Sequence, residues 1–331
     1  MLLFLSTIHY PLPTTLFHWD DGLKLTRADL AIDFRRRQPR AFISHAHADH
    51  IARHEYALCT PETAALYQHR LGPRPTLPLR YREPIEWGGL RLTTFPAGHC
   101  LGSAMLLAED GSQSLLYTGD FKLGESATAE RAELPHADIL VIESTFGDPT
   151  YRLPPRQQAI EQLLSLVRET LASDAVPVIV AYALGKAQEV TRVLTDAGIP
   201  VLQHRHVFAV SQVYESCGMS LGQHERLTST YKPGWAVIVP PNVGMLDRLG
   251  RQVRIAVTGW AVNPRAKYRL GVDHAIPLSD HADYDELFQA VALVKPQVVY
   301  CTHGPEEFVD HLHDAGYDAR LLGRSTQRRL F

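Results

Sequence analysis

The sequence has little from which to build a sulfur framework. It has four cysteines in 331 residues, Cys59, Cys100, Cys217 and Cys301, widely scattered and with no Cys-x-x-Cys pair. That argues against a thiolate zinc site and a disulfide scaffold, and suits a reducing cytoplasm, where the chain is expected to work. No apolar run is long enough to span a bilayer, so no membrane role is expected. The apolar start, Met1 to Ile8, lacks a basic flank and a small-residue cleavage site and runs into Pro11 and Pro13, so it reads as a first strand rather than a leader. Excess charge is missing too. With a formal net charge of −3 and a pI near 6.6, the chain does not advertise a polyanion partner, which must be met by local patches or by bound metal. Internal repeats and low-complexity segments are absent. The 45% apolar and 21% charged content is that of an ordinary globule, long enough for two domains or for one large α/β domain with an insertion.

What the chain has in quantity is histidine, seventeen residues of it, gathered near apparent strand ends. Ser44-His45-Ala46-His47-Ala48-Asp49-His50 follows directly on the apolar run Ala41-Phe42-Ile43. Imidazole nitrogen and carboxylate oxygen suit Zn²⁺, with Mn²⁺ as a second choice. In extended backbone alternate residues share a face, so His45 and His47 can grip one ion. Asp49 and His50 cannot comfortably reach that same ion, which argues for a second metal a few ångströms away.

Further along, strands keep stopping at polar residues. Leu30-Ala31-Ile32 ends in Asp33, placed to accept a hydrogen bond from a ligand histidine. Leu90 to Phe95 delivers His99, Ser114 to Thr118 delivers Asp120, and Ile139 to Ile142 delivers Glu143. Gln297 to Cys301 delivers His303. Residues at successive strand ends share one rim of a sheet. His45, His47 and His99 then form one site, Asp49, His50 and His303 another, with Asp120 between them. Two divalent ions about 3.5–4 Å apart activate water near neutrality and clamp an oxyanion. From about Pro149 to Gly250 the pattern becomes alternating helix and strand. The expected organisation is therefore a first part over 1–150, an inserted small α/β cap over 151–250, and a final part over 251–331.

These residues resemble a known family. His-x-His-x-Asp-His with the separated His99, Asp120 and His303 is similar to the metallo-β-lactamase superfamily, which implies an αββα sandwich with metals at the sheet rim. Ile142-Glu143-Ser144-Thr145, Ser279-Asp280-His281-Ala282-Asp283-Tyr284 and Thr302-His303-Gly304 resemble motifs A, B and C of its β-CASP nucleases. Ala183-Leu184-Gly185-Lys186-Ala187-Gln188-Glu189 resembles the helix-opening signature of their cap. Within that group the chain looks most like bacterial exonucleases associated with DNA ligase. A histidine at motif C is typical of the RNA-processing branch.

The resemblance implies a two-metal nuclease for nucleic acid, DNA rather than RNA, acting in end processing or repair alongside a ligase or helicase. It gives Asp49, Glu143 and His281 catalytic parts, His281 being held by Glu143 to protonate the leaving oxygen. Lys186 at a helix start, Ser279, Arg265 and Lys267 are candidate phosphate or nucleic-acid contacts. Three alternatives stand beside this reading: an RNA-processing β-CASP ribonuclease, a glyoxalase II-like thioesterase or ester hydrolase, and a nucleic-acid-binding protein without catalysis.

Overall fold

Leucine- and valine-rich runs punctuated by Gly, Asp and Pro fold here into short strands, and helices with one apolar face cover them. The computed structural model describes residues 16–323 apart from 230, 245, 247 and 248, so the expected first strand at Met1 to Ile8 lies outside the described residues. In chain order come β1 (Phe17–Trp19), β2 (Leu23–Leu25), β3 (Leu30–Ile32), β4 (Arg40–Phe42), β5 (Tyr56–Cys59), α1 (Pro61–Leu71), β6 (Thr76–Pro78), β7 (Ile85–Trp87), β8 (Leu90–Pro96), β9 (Ala104–Glu109), β10 (Ser114–Tyr117) and β11 (Ile139–Glu143). The chain then runs through α2 (Arg156–Ala172), β12 (Val176–Val180), α3 (Lys186–Asp196), β13 (Val201–Gln203), α4 (Arg205–Ser216), β14 (His224–Arg226), β15 (Ala236–Val239), β16 (Gln252–Val257), α5 (Ala266–Leu270) and β17 (His274–Ile276). It returns through α6 (Tyr284–Val294), β18 (Val298–Thr302), α7 (Glu307–Asp314) and β19 (Ala319–Leu321).

The described residues form three sheets, two of which face one another. The first has the order β1 to β6, and the second β19-β18-β11-β10-β9-β8-β7. Leu23, Leu25, Leu92, Leu106, Leu115 and Val141 meet between them. Helix α1 starts cleanly because the Thr60 hydroxyl accepts from the Thr63 N–H at 3.2 Å and Pro61 fills the first helical position. It packs Ala64 and Tyr67 on the outer side of the first sheet, against Ile43 and Ala57. Helices α6 and α7 bring Leu287, Val291, Phe308 and Leu312 to Met105, Leu116 and Leu140 on the outer side of the second. The result is the expected αββα sandwich, here called the body.

The third sheet is all parallel, in the order β14-β13-β15-β12-β16-β17. Helices α2 and α3 lay Leu163, Val167, Val190 and Leu194 on its Ile179, Ile238 and Ile255. This cap seats on the body where Leu184, Val210 and Tyr214 close over Ala46, Leu66, Cys100 and Leu101. A fully buried leucine or valine there stabilises the seat by about 1.5–3 kcal/mol, so the seat is a core rather than a loose contact.

The cap extends further than the sequence suggested. Strand β16 pairs with β12 in the register Val176↔Gln252, and β17 pairs with β16, so the third sheet runs to Ile276 rather than closing at residue 250. Parallel pairing is non-local, so the change of pattern near Gly250 does not mark where the sheet ends.

Candidate metal centre

Strand register brings the polar strand ends together. Strands β10, β11 and β18 are parallel neighbours, with Tyr117↔Val141 and Val141↔Tyr300 in line. Asp120, Glu143 and His303 therefore emerge on one edge, beside the loop that follows β4 and carries His45, His47 and His50. His45, His47, His99 and Asp120 present ligand atoms all within 4.8 Å of one another.

The outward nitrogens of these rings decide what the inward ones can do. His47 Nε2 lies 3.0 Å from the Leu184 carbonyl oxygen and His99 Nδ1 2.8 Å from that of Asp280. A carbonyl only accepts, so both outward nitrogens carry the proton and both inward nitrogens are bare. The Ser44 hydroxyl gives its hydrogen to Asp33, so it accepts from His45 Nδ1 at 3.0 Å and leaves His45 Nε2 bare as well. Yet His45 Nε2 and His99 Nε2 each sit 3.0 Å from His47 Nδ1. No proton is available to join them. A buried acceptor without a donor costs about 1–3 kcal/mol, and three lone pairs converging on one point are stabilised by a cation. Burial and the neighbouring imidazoles hold His45 well below the usual histidine range. Burial and His99 hold His47 down at about 4, so the rings are neutral ligands at pH 7.

A second set adjoins the first. His50 Nδ1 donates to Asp33 at 2.8 Å, and its Nε2 lies 3.3 Å from Asp120 Oδ2 and 4.0 Å from Asp49 Oδ2. Asp120 Oδ2 is also 3.5 Å from His45 Nε2 and 3.9 Å from His99 Nε2, so this one carboxylate touches both sets. The His303 ring lies 5.8 Å from that of His50. Its Nδ1 donates at 3.0 Å to the Thr302 hydroxyl, whose hydrogen goes to the Ile142 carbonyl, which leaves Nε2 as acceptor. His303 and Asp33 both adopt left-handed backbone, φ 58° and φ 48°, a strained choice outside glycine that reappears here at the functional edge. The donor set is able to hold a pair of divalent cations, and its nitrogen and carboxylate chemistry fits Zn²⁺.

Next to this cluster, His281 Nδ1 lies 3.1 Å from both oxygens of Glu143. Glu143 is buried and occupied: Oε1 accepts from the Phe121 N–H at 2.8 Å and Oε2 from the Thr145 hydroxyl at 2.6 Å. Burial alone would lower the His281 imidazole, but the Glu143 and Asp120 carboxylates outweigh it and push it up to about 10. His281 is therefore a fixed, protonated ring against the metal cluster, its centroid 4.6 Å from that of His99.

The candidate phosphate contacts fare differently. Lys186 is 1% exposed and spends its ammonium on Glu189 at 2.7 Å, with Asp280 at 3.8 Å, so it is a buried ion-pair member and no surface contact. Ser279 turns inward: its hydroxyl accepts from the His281 N–H at 2.9 Å and donates to the His281 carbonyl at 3.0 Å, shaping the loop instead of facing a ligand. Arg265 is exposed at the start of α5. Lys267 lines a cleft of about 810 Å³ with α2 residues, away from the metal ligands. The run Arg35, Arg36 and Arg37 with Arg40 is matched one for one by Asp49, Asp21, Glu55 and Asp29. Sequence reasoning missed the carbonyls of Leu184 and Asp280, which every residue carries and no motif marks. Ser44 and Tyr117, both donors to Asp33, were missed too.

Comparisons with known proteins agree with this architecture. Residues 34–178 match the family model described as a beta-lactamase superfamily domain, and residues 268–321 match a Zn-dependent metallo-hydrolase RNA specificity domain. The chain belongs to the metallo-β-lactamase superfamily and, within it, to the β-CASP group. It is 38% identical to a probable DNA ligase of Opitutus terrae over 94% of this chain and 32% of that protein. It is 29% identical to the 5' exonuclease Apollo of Gallus gallus over 83% of this chain and 62% of the other. It is 35% identical to cleavage and polyadenylation specificity factor subunit 3 of Dictyostelium discoideum over 42% and 18%. The chain thus spans about a third of the ligase relative and under a fifth of the polyadenylation factor. A crystal structure of an Enterococcus faecalis protein of unknown function shares the fold, with a TM-score of 0.60 at 16% identity over 86% of this chain and 79% of that one. No helix among the described residues is long and apolar enough to cross a membrane.

Proposed function

We propose that the chain is a two-metal nuclease, a phosphodiesterase that trims DNA ends. The observation that carries the reading is the Glu143–His281 pair, a charged imidazole fixed against a double set of metal-type donors and roofed by the cap. A small-ester hydrolase on the same fold would need neither the fixed acid nor the roof. Two divalent cations, when bound, supply Lewis acidity and activate the nucleophile. His45, His47 and His99 would hold one, Asp49, His50 and His303 the other, with Asp120 shared.

The chain's own residues do the rest. Asp33 and Ser44 orient His50 and His45 and raise their basicity as ligands. His281 donates its proton to the oxygen that leaves phosphorus, and Glu143 holds the ring in register for that transfer. With Asp120 neutralised by cations, the push on His281 falls to Glu143, which brings the imidazolium closer to a useful acid at neutral pH. The cap loop at Leu184 fixes His47 and excludes water from that side.

DNA is favoured by the relatives named as a DNA ligase and a 5' exonuclease, and the former suggests service alongside ligation. RNA is the second reading, favoured by His303 at motif C and by the polyadenylation-factor relative. Metal-loaded protein is tested on end-labelled single-stranded DNA and RNA of one sequence. Faster shortening of DNA from an end supports the first reading, and faster cleavage of RNA replaces it with the second. If neither strand is cut, and His281→Ala and Asp120→Ala behave as wild type does, the nuclease reading is lost.

A further inference from the structure

Three consecutive residues of the cap, Leu184 to Lys186, approach the metal centre. The Leu184 carbonyl accepts from His47 Nε2 at 3.0 Å. Gly185, at φ 87°, brings the backbone close: a Cβ there would stand 3.6 Å from Asp280 Oδ2 and 3.9 Å from His47 Nε2. Lys186 then turns its ammonium inward, 2.7 Å from Glu189 Oε2 and 3.8 Å from Asp280 Oδ1. This arm is held in shape by Gln188, which is fully buried, accepts from the Gly185 N–H at 2.9 Å and donates to the Ala183 carbonyl at 3.1 Å.

Charge balance makes Asp280 part of this cluster. The buried Glu189 also accepts from Arg156 at 2.7 Å, so one carboxylate faces two cations. Lys186 would be left as an unbalanced buried charge, which is strongly unfavourable. The Asp280 carboxylate balances it. At 3.8 Å the contact is an ion pair and not a hydrogen bond, and a buried pair is screened little by salt and solvent.

Asp280 has a second tie. Its backbone carbonyl accepts the His99 Nδ1 proton at 2.8 Å, and the chain continues directly into His281. Asp280 is thus held to the cap by its carboxylate and to a proposed ligand by its carbonyl. We propose that Lys186 is a positioning residue for the metal centre: from the cap it fixes Asp280, and through the Asp280 carbonyl it sets the ring of His99. With Leu184 on His47, one cap segment then governs two of the three nitrogen donors proposed for the first ion. The proposal rests on the two-metal reading above and adds which buried charge holds that site in shape.

Release of metal, which needs no substrate, tests this. Protein loaded with two equivalents of Zn²⁺ is mixed with excess chromophoric chelator, and thermal melting is followed alongside. Lys186→Met removes the charge and roughly keeps the length of the side chain. One equivalent is expected to leave about tenfold faster, the lower end of what loss of an outer partner costs, while the other keeps its wild-type rate. Combining Lys186→Met with Asp280→Asn separates positioning from stability. That pair leaves Arg156 balanced by Glu189 and keeps the backbone carbonyl at position 280, so melting should return toward wild type while the fast release persists. If release instead returns to the wild-type rate together with the melting temperature, Lys186 serves the fold alone and the proposal is overturned. Equal acceleration of both equivalents in Lys186→Met, or of neither, overturns it as well. If Lys186→Met does not fold, the double variant decides by itself. A wild-type protein that holds no Zn²⁺ removes the two-metal reading, a failure distinct from all of these.

Discussion

On the body side of the metal centre, His45 and His50 are oriented by Ser44 and Asp33, the latter 17 residues away in sequence. On the cap side, His47 and His99 are oriented by backbone carbonyls of Leu184 and Asp280, 137 and 181 residues away. A carboxylate partner makes an imidazole a stronger ligand, and it travels with the sheet that carries it. A carbonyl partner is weaker and arrives only when a distant loop is seated. One side of the centre is thus self-contained, while the other depends on the cap being in place.

The largest effect tests what lies between the two sides. His281→Ala removes the proposed acid without touching a proposed ligand, so kcat should fall by about 10²–10⁴-fold while metal content by elemental analysis stays at the wild-type level. Loss of metal together with activity would mean that His281 supports the ligands rather than the proton transfer. Asp33→Asn strikes the body side. It should weaken metal affinity by about 10–100-fold, seen as faster loss of one metal equivalent to a chelator.

Gly185→Ala strikes the cap side. Gly185 sits at φ 87°, and a Cβ there would stand 3.3 Å from Cys100 Cβ and 3.9 Å from His47 Nε2. The strained loop should cost about 1–3 kcal/mol of stability and speed release of the other equivalent. If Asp33→Asn and Gly185→Ala accelerate the same phase, the two sides are one unit and the comparison fails. The smallest effect concerns the seat of the cap. Burial alone would raise the Glu189 carboxyl, but Lys186 and Arg156 outweigh it and hold it below its ordinary value. Its contribution to stability is complete above about pH 4.3 and is lost as the pH falls through the depressed folded value. Amide exchange in α3 should rise in acid before exchange in the body sheets.

The body was legible because its rule is local: an apolar strand that ends on His, Asp or Glu or reaches one within three residues. Asp33, His99, Asp120, Glu143 and His303 all fit that rule, and register alone carries them to one edge. Lys186 was misread for want of a non-local fact. A lysine at a helix start looks exposed until Glu189 and Arg156 close over it, and Arg156 comes from another helix. The extent of the cap was missed for the same reason, since Gln252–Val257 is an ordinary strand whose partner, β12, lies 76 residues upstream by the register Val176↔Gln252. Backbone carbonyls leave no trace in sequence at all.

Strands β11 and β18 lie side by side, with Glu143 opposite Thr302, although the whole cap is threaded between them. During synthesis the ribosome therefore releases a chain with six of the seven proposed ligands long before the body sheet can close. An interrupted product that stops within the cap has neither His281 nor His303. On the proposed reading it could hold a cation but would lack the acid, so a stalled copy would not cut nucleic acid until His281 has been made and β18 has paired with β11.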